Sequence, residues 1–196
     1  MKTVEVSVAE SIIVGLFLLL MVPISLSFLG WWFFAVIYLF KLFSFRAAAL
    51  PTSAIAGFGV GVILCIFYLR SWIRRFYTVD TKFAALVFLF WSFMAIIFFK
   101  GLPVGNILLG MVAGLYTGRK LFHESVPKEE LASRMVPVAR FTALVTAFAT
   151  LLVSALSART ARLSVKSLLI SLLLAALAFV LQYFLTSFAA NRGQRS

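Results

Sequence analysis

Among the neutral polar residues within long apolar stretches of this 196-residue chain, four could do chemistry: Ser92, Asn106, Thr146 and Gln182. Their hydroxyl and amide groups donate and accept hydrogen bonds without carrying a charge. In a membrane segment, such groups either line a path for a small solute or ion, or hydrogen-bond one helix to the next. We take all four residues as candidates for lining a solute path, with Asn106 and Gln182 as the strongest.

Each candidate has a plainer structural interpretation. Asn106 follows Pro103 and Gly105, a pattern typical either of a broken helix end that faces an anion or of an ordinary helix start. Thr146 and Gln182 belong to polar seams that more commonly hold helices together. Ser92 is expected to bond the preceding backbone carbonyl of its own helix.

Small residues recur every four positions in two of the apolar stretches. Asn106 is followed at this spacing by three glycines, and a shorter pair lies earlier in the chain; the five glycines are Gly110, Gly114, Gly118, Gly57 and Gly61. Glycine on one face of a helix lets two backbones approach closely. We expect these faces to pack helices within one chain; the alternatives are an oligomer contact and a pore lining.

Groups for ionic, metal or covalent chemistry are scarce in this sequence. The middles of the clear apolar stretches carry no Asp, Glu, Lys or Arg, which argues against a carboxylate proton relay. His123 is the only histidine, so two histidines of one chain cannot share a metal, and Cys65 is the only cysteine. No nucleophile elbow, phosphate-binding loop or zinc-protease motif is present. We therefore expect no cofactor and no metal; an enzyme acting on lipid headgroups through His123 and Glu124 is a minor alternative.

The composition indicates which kind of protein and which secondary structure carry the polar residues named above. Hydrophobic residues make up 63% of the chain and charged residues 12%, and the mean hydropathy is +1.09. A soluble domain of this length could not bury so much apolar surface. The sequence predicts an all-α integral membrane protein, a single membrane domain over residues 1–196, and a retained first span rather than a cleaved signal peptide.

A membrane helix needs about 20 mostly apolar residues. We take six stretches as spans, at residues 11–29, 54–69, 83–99, 104–118, 138–157 and 167–188, of which 54–69 and 104–118 are short. We expect residues 31–45, which begin with Trp31 and Trp32, to form an interfacial or re-entrant segment; one long kinked helix and a seventh span are the alternatives. Residues 119–137 are expected to be the main cytoplasmic loop, with a short surface helix that starts near Ser125.

The net charge of +12 indicates topology and lipid contact rather than nucleic-acid binding, because the basic residues lie beside apolar stretches. With both ends cytoplasmic, twelve Lys and Arg residues lie inside and six outside. Seven spans give eleven against seven, and the cluster Arg159, Arg162 and Lys166 breaks the rule in both schemes. The patch Arg70, Trp72, Arg74 and Arg75 is expected to contact anionic lipid headgroups.

These patterns favour a small-solute or ion transporter or channel of the cell membrane, or the membrane-embedded substrate-binding part of one. An accessory or assembly subunit of a membrane complex is the second hypothesis, with a homo-oligomer or another membrane subunit as its partner. The lipid-modifying enzyme is the third.

Overall fold

The computed structural model describes residues 7–41, 49–98, 103–158 and 165–195, and these residues form helices and short connections without a strand. The helices are α1 (Val8–Leu39), α2 (Ala49–Arg75), α3 (Thr81–Phe98), α4 (Val104–His123), α5 (Lys128–Ala158) and α6 (Val165–Arg195), with a 3-10 turn at Phe76–Thr78 between α2 and α3.

Two compact units divide the chain, one over Met1–Phe76 and the other over Tyr77–Ser196. In the first unit, α1 packs along α2. In the second, α6 packs against both α4 and α5, and α3 contacts α4 and α5 more lightly. The expectation that residues 1–196 act as one membrane domain stays a prediction.

Helix α1 is longer than the sequence analysis expects. Ser7 caps it, because the Ser7 hydroxyl oxygen accepts a hydrogen bond from the Glu10 backbone N–H at 3.2 Å. The helix then continues past Pro23 and Gly30 to Leu39. Residues 31–39 are therefore an extension of the first helix and not a separate interfacial segment, and residues 42–45 of that predicted segment lie outside the described residues.

Gly30 lies in the contact between α1 and α2 and not in a turn. A Cβ atom on Gly30 would lie 2.6 Å from the backbone oxygen of Ser53, so the missing side chain makes room for α2. Further along the same interface, a Cβ on Gly57 would overlap with the backbone of Leu26, and one on Gly61 with Pro23. Glycines on both helices thus bring the two backbones together.

The predicted loop at residues 119–137 is mostly helical. Helix α4 runs on to His123, and α5 begins at Lys128, with Glu129 and Glu130 in its first turn. Only residues 124–127 connect the two helices, and Ser125 adopts a positive φ of 53° there. The expected short surface helix is the start of α5, which continues through Pro137 because neighbouring helices can compensate a proline break.

Among the described residues, four helical segments are long and apolar enough to cross a membrane: Val8–Leu39, Ala49–Thr78, Lys128–Ser154 and Leu169–Gln194. A shorter apolar helix covers Thr81–Ile96. The described part of the chain is therefore all-helical and compatible with a multi-pass membrane protein, but a count of six spans is not confirmed.

The α1–α2 contact predicts different effects of the same substitution at two nearby glycines. Gly61→Ala should destabilise the protein by about 1–3 kcal/mol, because the new methyl group overlaps with the backbone at Pro23. Gly59→Ala is the matched control, since nothing lies within 4 Å of a Cβ at this position. Thermal unfolding in detergent should show a lower midpoint for Gly61→Ala alone; equal midpoints for both variants would contradict this packing.

Candidate functional site

The glycine face of α4 lies against α6. A Cβ atom on Gly114 would overlap with the backbone oxygen of Thr186, and one on Gly118 with that of Ala190. From the other side, a Cβ on Gly193 of α6 would come within 2.7 Å of the Leu115 backbone oxygen. The two backbones are therefore in direct contact, and this face of α4 is covered by a helix of the same chain.

A closed hydrogen-bond network lies next to this contact, between α5 and α6. The Gln182 side-chain nitrogen donates to the Thr186 hydroxyl at 2.8 Å, and the Thr146 hydroxyl donates to the Gln182 side-chain oxygen at 3.3 Å. The Thr142 and Thr186 hydroxyl oxygens are 3.1 Å apart. All four side chains are at most 1% exposed.

Few hydrogens are shared among the side chains of this network. The Thr142 hydroxyl donates to the Ala139 carbonyl at 3.1 Å and lies 3.1 Å from the Thr186 hydroxyl, where either oxygen can be the donor. The Thr146 hydroxyl, with one hydrogen, has two acceptors in reach, the Thr142 carbonyl at 2.9 Å and the Gln182 side-chain oxygen. Each side-chain polar atom of the network thus has at least one partner within the protein, as expected for polar groups that join helices away from water.

Gly110 is the point at which the glycine face meets this network. A Cβ on Gly110 would overlap with the Gln182 amide and lie 3.0 Å from the Thr186 hydroxyl. Gln182 therefore fills the space that the missing side chain of Gly110 leaves. Two of the four lining candidates, Thr146 and Gln182, are enclosed in this structure and hold α5 and α6 together.

Asn106 lies one helical turn before Gly110 and differs from the network. Its side chain is 2% exposed, yet neither its nitrogen nor its oxygen has a hydrogen-bond partner. It does not cap α4 either: Pro103 occupies the cap position, and Asn106 is the third residue of the helix. A buried amide without partners carries a desolvation penalty of roughly 2–7 kcal/mol, depending on the reference state.

Ser92 on α3 is also buried without a hydrogen-bond partner. Its side chain is 2% exposed, and its hydroxyl has no hydrogen-bond partner. The expectation that this hydroxyl bonds a carbonyl of its own helix is wrong. Ser25, Ser53 and Thr117 make such bonds to backbone oxygens three or four residues earlier, at 2.7–2.8 Å. Ser92 and Asn106 are the buried side chains without partners in the described part of the chain.

The basic-aromatic patch lies in the last turns of α2. Arg70, Arg74 and Arg75 are exposed, and Trp72 is half-buried and stacks on Tyr68 with 5.9 Å between ring centroids. Exposed arginines beside aromatic rings at a helix end are typical of a membrane–water boundary.

The corner between α4 and α5 contains an aromatic cluster. The His123 ring packs 4.7 Å from Tyr77, whose ring stacks on Tyr116 at 5.9 Å. Lys120 donates a hydrogen bond to the Val79 backbone oxygen. A surface pocket of about 580 Å³ lies beside His123 and Lys128. In the described ranges, no group of three or more His, Cys, Asp or Glu residues is placed to hold a metal ion.

Comparison with known proteins adds no assignment, since no family model, curated protein or solved structure matches this chain. The sequence analysis did not identify two features of the site. The first is Gly193, which continues the α6 contact face beyond Ala189 and Ala190; its four-residue spacing from Ala189 could have indicated this role. The second is the absence of partners at Asn106, which no sequence pattern indicates.

The contact between Gly110 and Gln182 predicts an energetic coupling. Gly110→Ala should destabilise the protein, and the cost should fall by about 1 kcal/mol or more in a Gln182→Ala background, where the overlapping amide is gone. Gly118→Ala meets the Ala190 backbone instead, so Gln182→Ala should not relieve its cost. A double-mutant cycle of unfolding free energies measures both pairs; additivity at Gly110 would show that the side chains do not meet.

Proposed function

We propose that this chain is a membrane protein through which a small solute or ion passes, and that Asn106 is the position at which it binds. The observation that carries the proposal is the Asn106 amide, which is 2% exposed and has no hydrogen-bond partner. The side-chain polar atoms of the neighbouring α5–α6 contact each have a partner, and among the described residues the buried side-chain atoms without one belong to Asn106 and Ser92.

The cost of such an amide favours a functional role over a packing role. Gln182 shows what a packing amide looks like in this protein, with one bond to Thr146 and one to Thr186. An amide that contributes neither packing bonds nor a cap is destabilising, and destabilising polar groups persist in proteins where they serve binding. A small ligand would supply the missing bonds, and its departure would leave them open again.

The burial of Asn106 also indicates the size of what binds there. With 2% of the side chain exposed, a helix of a partner protein has no access to the amide, but a small molecule can enter as the helices move. The assembly-subunit hypothesis is weaker, because the glycines that would receive a partner helix already pack against Pro23, Leu26, Thr186 and Ala190 of the same chain.

The proposed arrangement in the membrane keeps six spans. Helices α3 and α4 contain 18 and 20 residues. At 1.5 Å per residue they are about 27 and 30 Å long, close to the hydrocarbon thickness. Arg119, near the end of α4, can extend to the lipid headgroups. Four or six spans both place the two chain ends on one side, which we assign to the cytoplasm of a cell membrane.

The same arrangement also predicts which residues contact the lipid bilayer. Arg70, Trp72, Arg74 and Arg75 at the end of α2 would contact anionic lipid headgroups at the cytoplasmic surface, and their charge predicts weaker membrane surface contact at high salt. Neither nucleic acid nor a resident cofactor is part of the proposal.

The proposal predicts a permeability that depends on Asn106. Liposomes containing the purified protein should pass at least one probe among urea, glycerol, K⁺ and Cl⁻ faster than protein-free liposomes. Asn106→Ala should lower this flux about tenfold or more, the effect of losing about 1.4 kcal/mol of binding. Stopped-flow light scattering measures the neutral probes, and ion-sensitive dyes measure the ions.

Thr117→Ala is the matched control on the same helix. The Thr117 hydroxyl donates only to the Ala113 carbonyl of its own helix at 2.8 Å, so its removal should leave the flux unchanged. Absence of flux for every probe, or a flux that Asn106→Ala leaves intact in folded protein, would overturn the proposed function.

A further inference from the structure

The Asn106 amide has both kinds of hydrogen-bonding group open at once. Its nitrogen carries two hydrogens, and its oxygen has two lone pairs, and neither atom has a partner. A ligand that completes this side chain must therefore accept one hydrogen bond and donate another within the width of one amide group. This requirement restricts the class of substrate.

An ion meets only half of this requirement. A metal cation would engage the Asn106 oxygen and leave the nitrogen unpaired, and it usually needs several oxygen ligands around it. An anion would engage the nitrogen and leave the oxygen unpaired. With either ion bound, one polar atom of the Asn106 amide would remain buried without a hydrogen-bond partner.

The surrounding helices also lack charges to balance an ion. Residues 83–98 of α3, 104–118 of α4, 141–158 of α5 and 169–191 of α6 contain no Asp, Glu, Lys or Arg. An ion in such apolar surroundings would keep its full desolvation cost. The other open group in the same unit, the Ser92 hydroxyl, is again a neutral donor and acceptor.

We propose that Asn106 binds a small uncharged amide or urea-type molecule, which pairs with the side-chain amide through one N–H···O bond in each direction. The pairing places two planar groups edge to edge and satisfies one hydrogen and one lone pair of Asn106 at the same time. This inference rests on the proposed function, and it names the class of substrate at the proposed position.

Selectivity between neutral and charged probes tests the inference. In liposomes containing the protein, urea and acetamide should cross about tenfold or more faster than in protein-free liposomes, and K⁺ and Cl⁻ should cross no faster. Asn106→Val, which is close in size and has no polar group, should remove the urea and acetamide flux, and Thr117→Ala should keep it.

The outcomes separate this inference from the proposed function. A K⁺ or Cl⁻ flux that depends on Asn106, without a urea or acetamide flux, would overturn the uncharged substrate and leave a transport role. Absence of flux for every probe with the wild-type protein, or fluxes that Asn106→Val does not change, would overturn both proposals.

Thermal unfolding gives a second test that needs no flux. If the amide serves a ligand, its replacement in Asn106→Val should leave the unfolding midpoint in detergent unchanged or raise it, because the buried open groups disappear. Acetamide should then raise the midpoint of the wild-type protein relative to that of Asn106→Val. A markedly lower midpoint for Asn106→Val, without any differential effect of acetamide, would assign Asn106 a structural role and overturn the inference.

Discussion

The close approach of α4 and α6 is the constraint on which the second unit depends. Within a membrane, helices gain no hydrophobic free energy from leaving lipid, so contact area and hydrogen bonds must hold them together. Gly114 and Gly118 provide the contact area, because the backbone of α6 occupies the space of their missing side chains. Close contact also removes water, so every polar group near it must find a partner in the protein.

The α5–α6 network and Asn106 respond to this constraint in opposite ways. Around Gln182, each hydroxyl and amide atom has at least one hydrogen-bond partner. Asn106 stands on the same four-residue spacing as the glycines, at the end of the row, and is as deeply buried as the network. Asn106 makes none of the hydrogen bonds that the network makes. The row of Asn106, Gly110, Gly114 and Gly118 is therefore a packing face that ends in a polar side chain without partners. We infer that packing and binding are divided along one helix face.

The sequence predicts those features that depend on local pattern. Apolar length predicts helices, and four-residue spacing identifies the small residues that face another helix. Features set by tertiary contact could not be read in this way. Gly30 resembles a turn residue in sequence, but it lies inside α1, where its missing side chain makes room for the Ser53 backbone. Ser92 resembles other helical serines, and only the folded chain leaves its hydroxyl without a partner.

The water accessibility of two single cysteines tests the central claim most directly. In a Cys65→Ala background, Asn106→Cys and Gln182→Cys can be treated in membranes with methyl methanethiosulfonate, a small neutral reagent. It modifies the thiolate, which forms where water reaches the sulfur. The account predicts modification at position 106 and protection at position 182. Protection at both positions in folded protein, or equal modification at both, would contradict the division between an open binding position and a closed packing network.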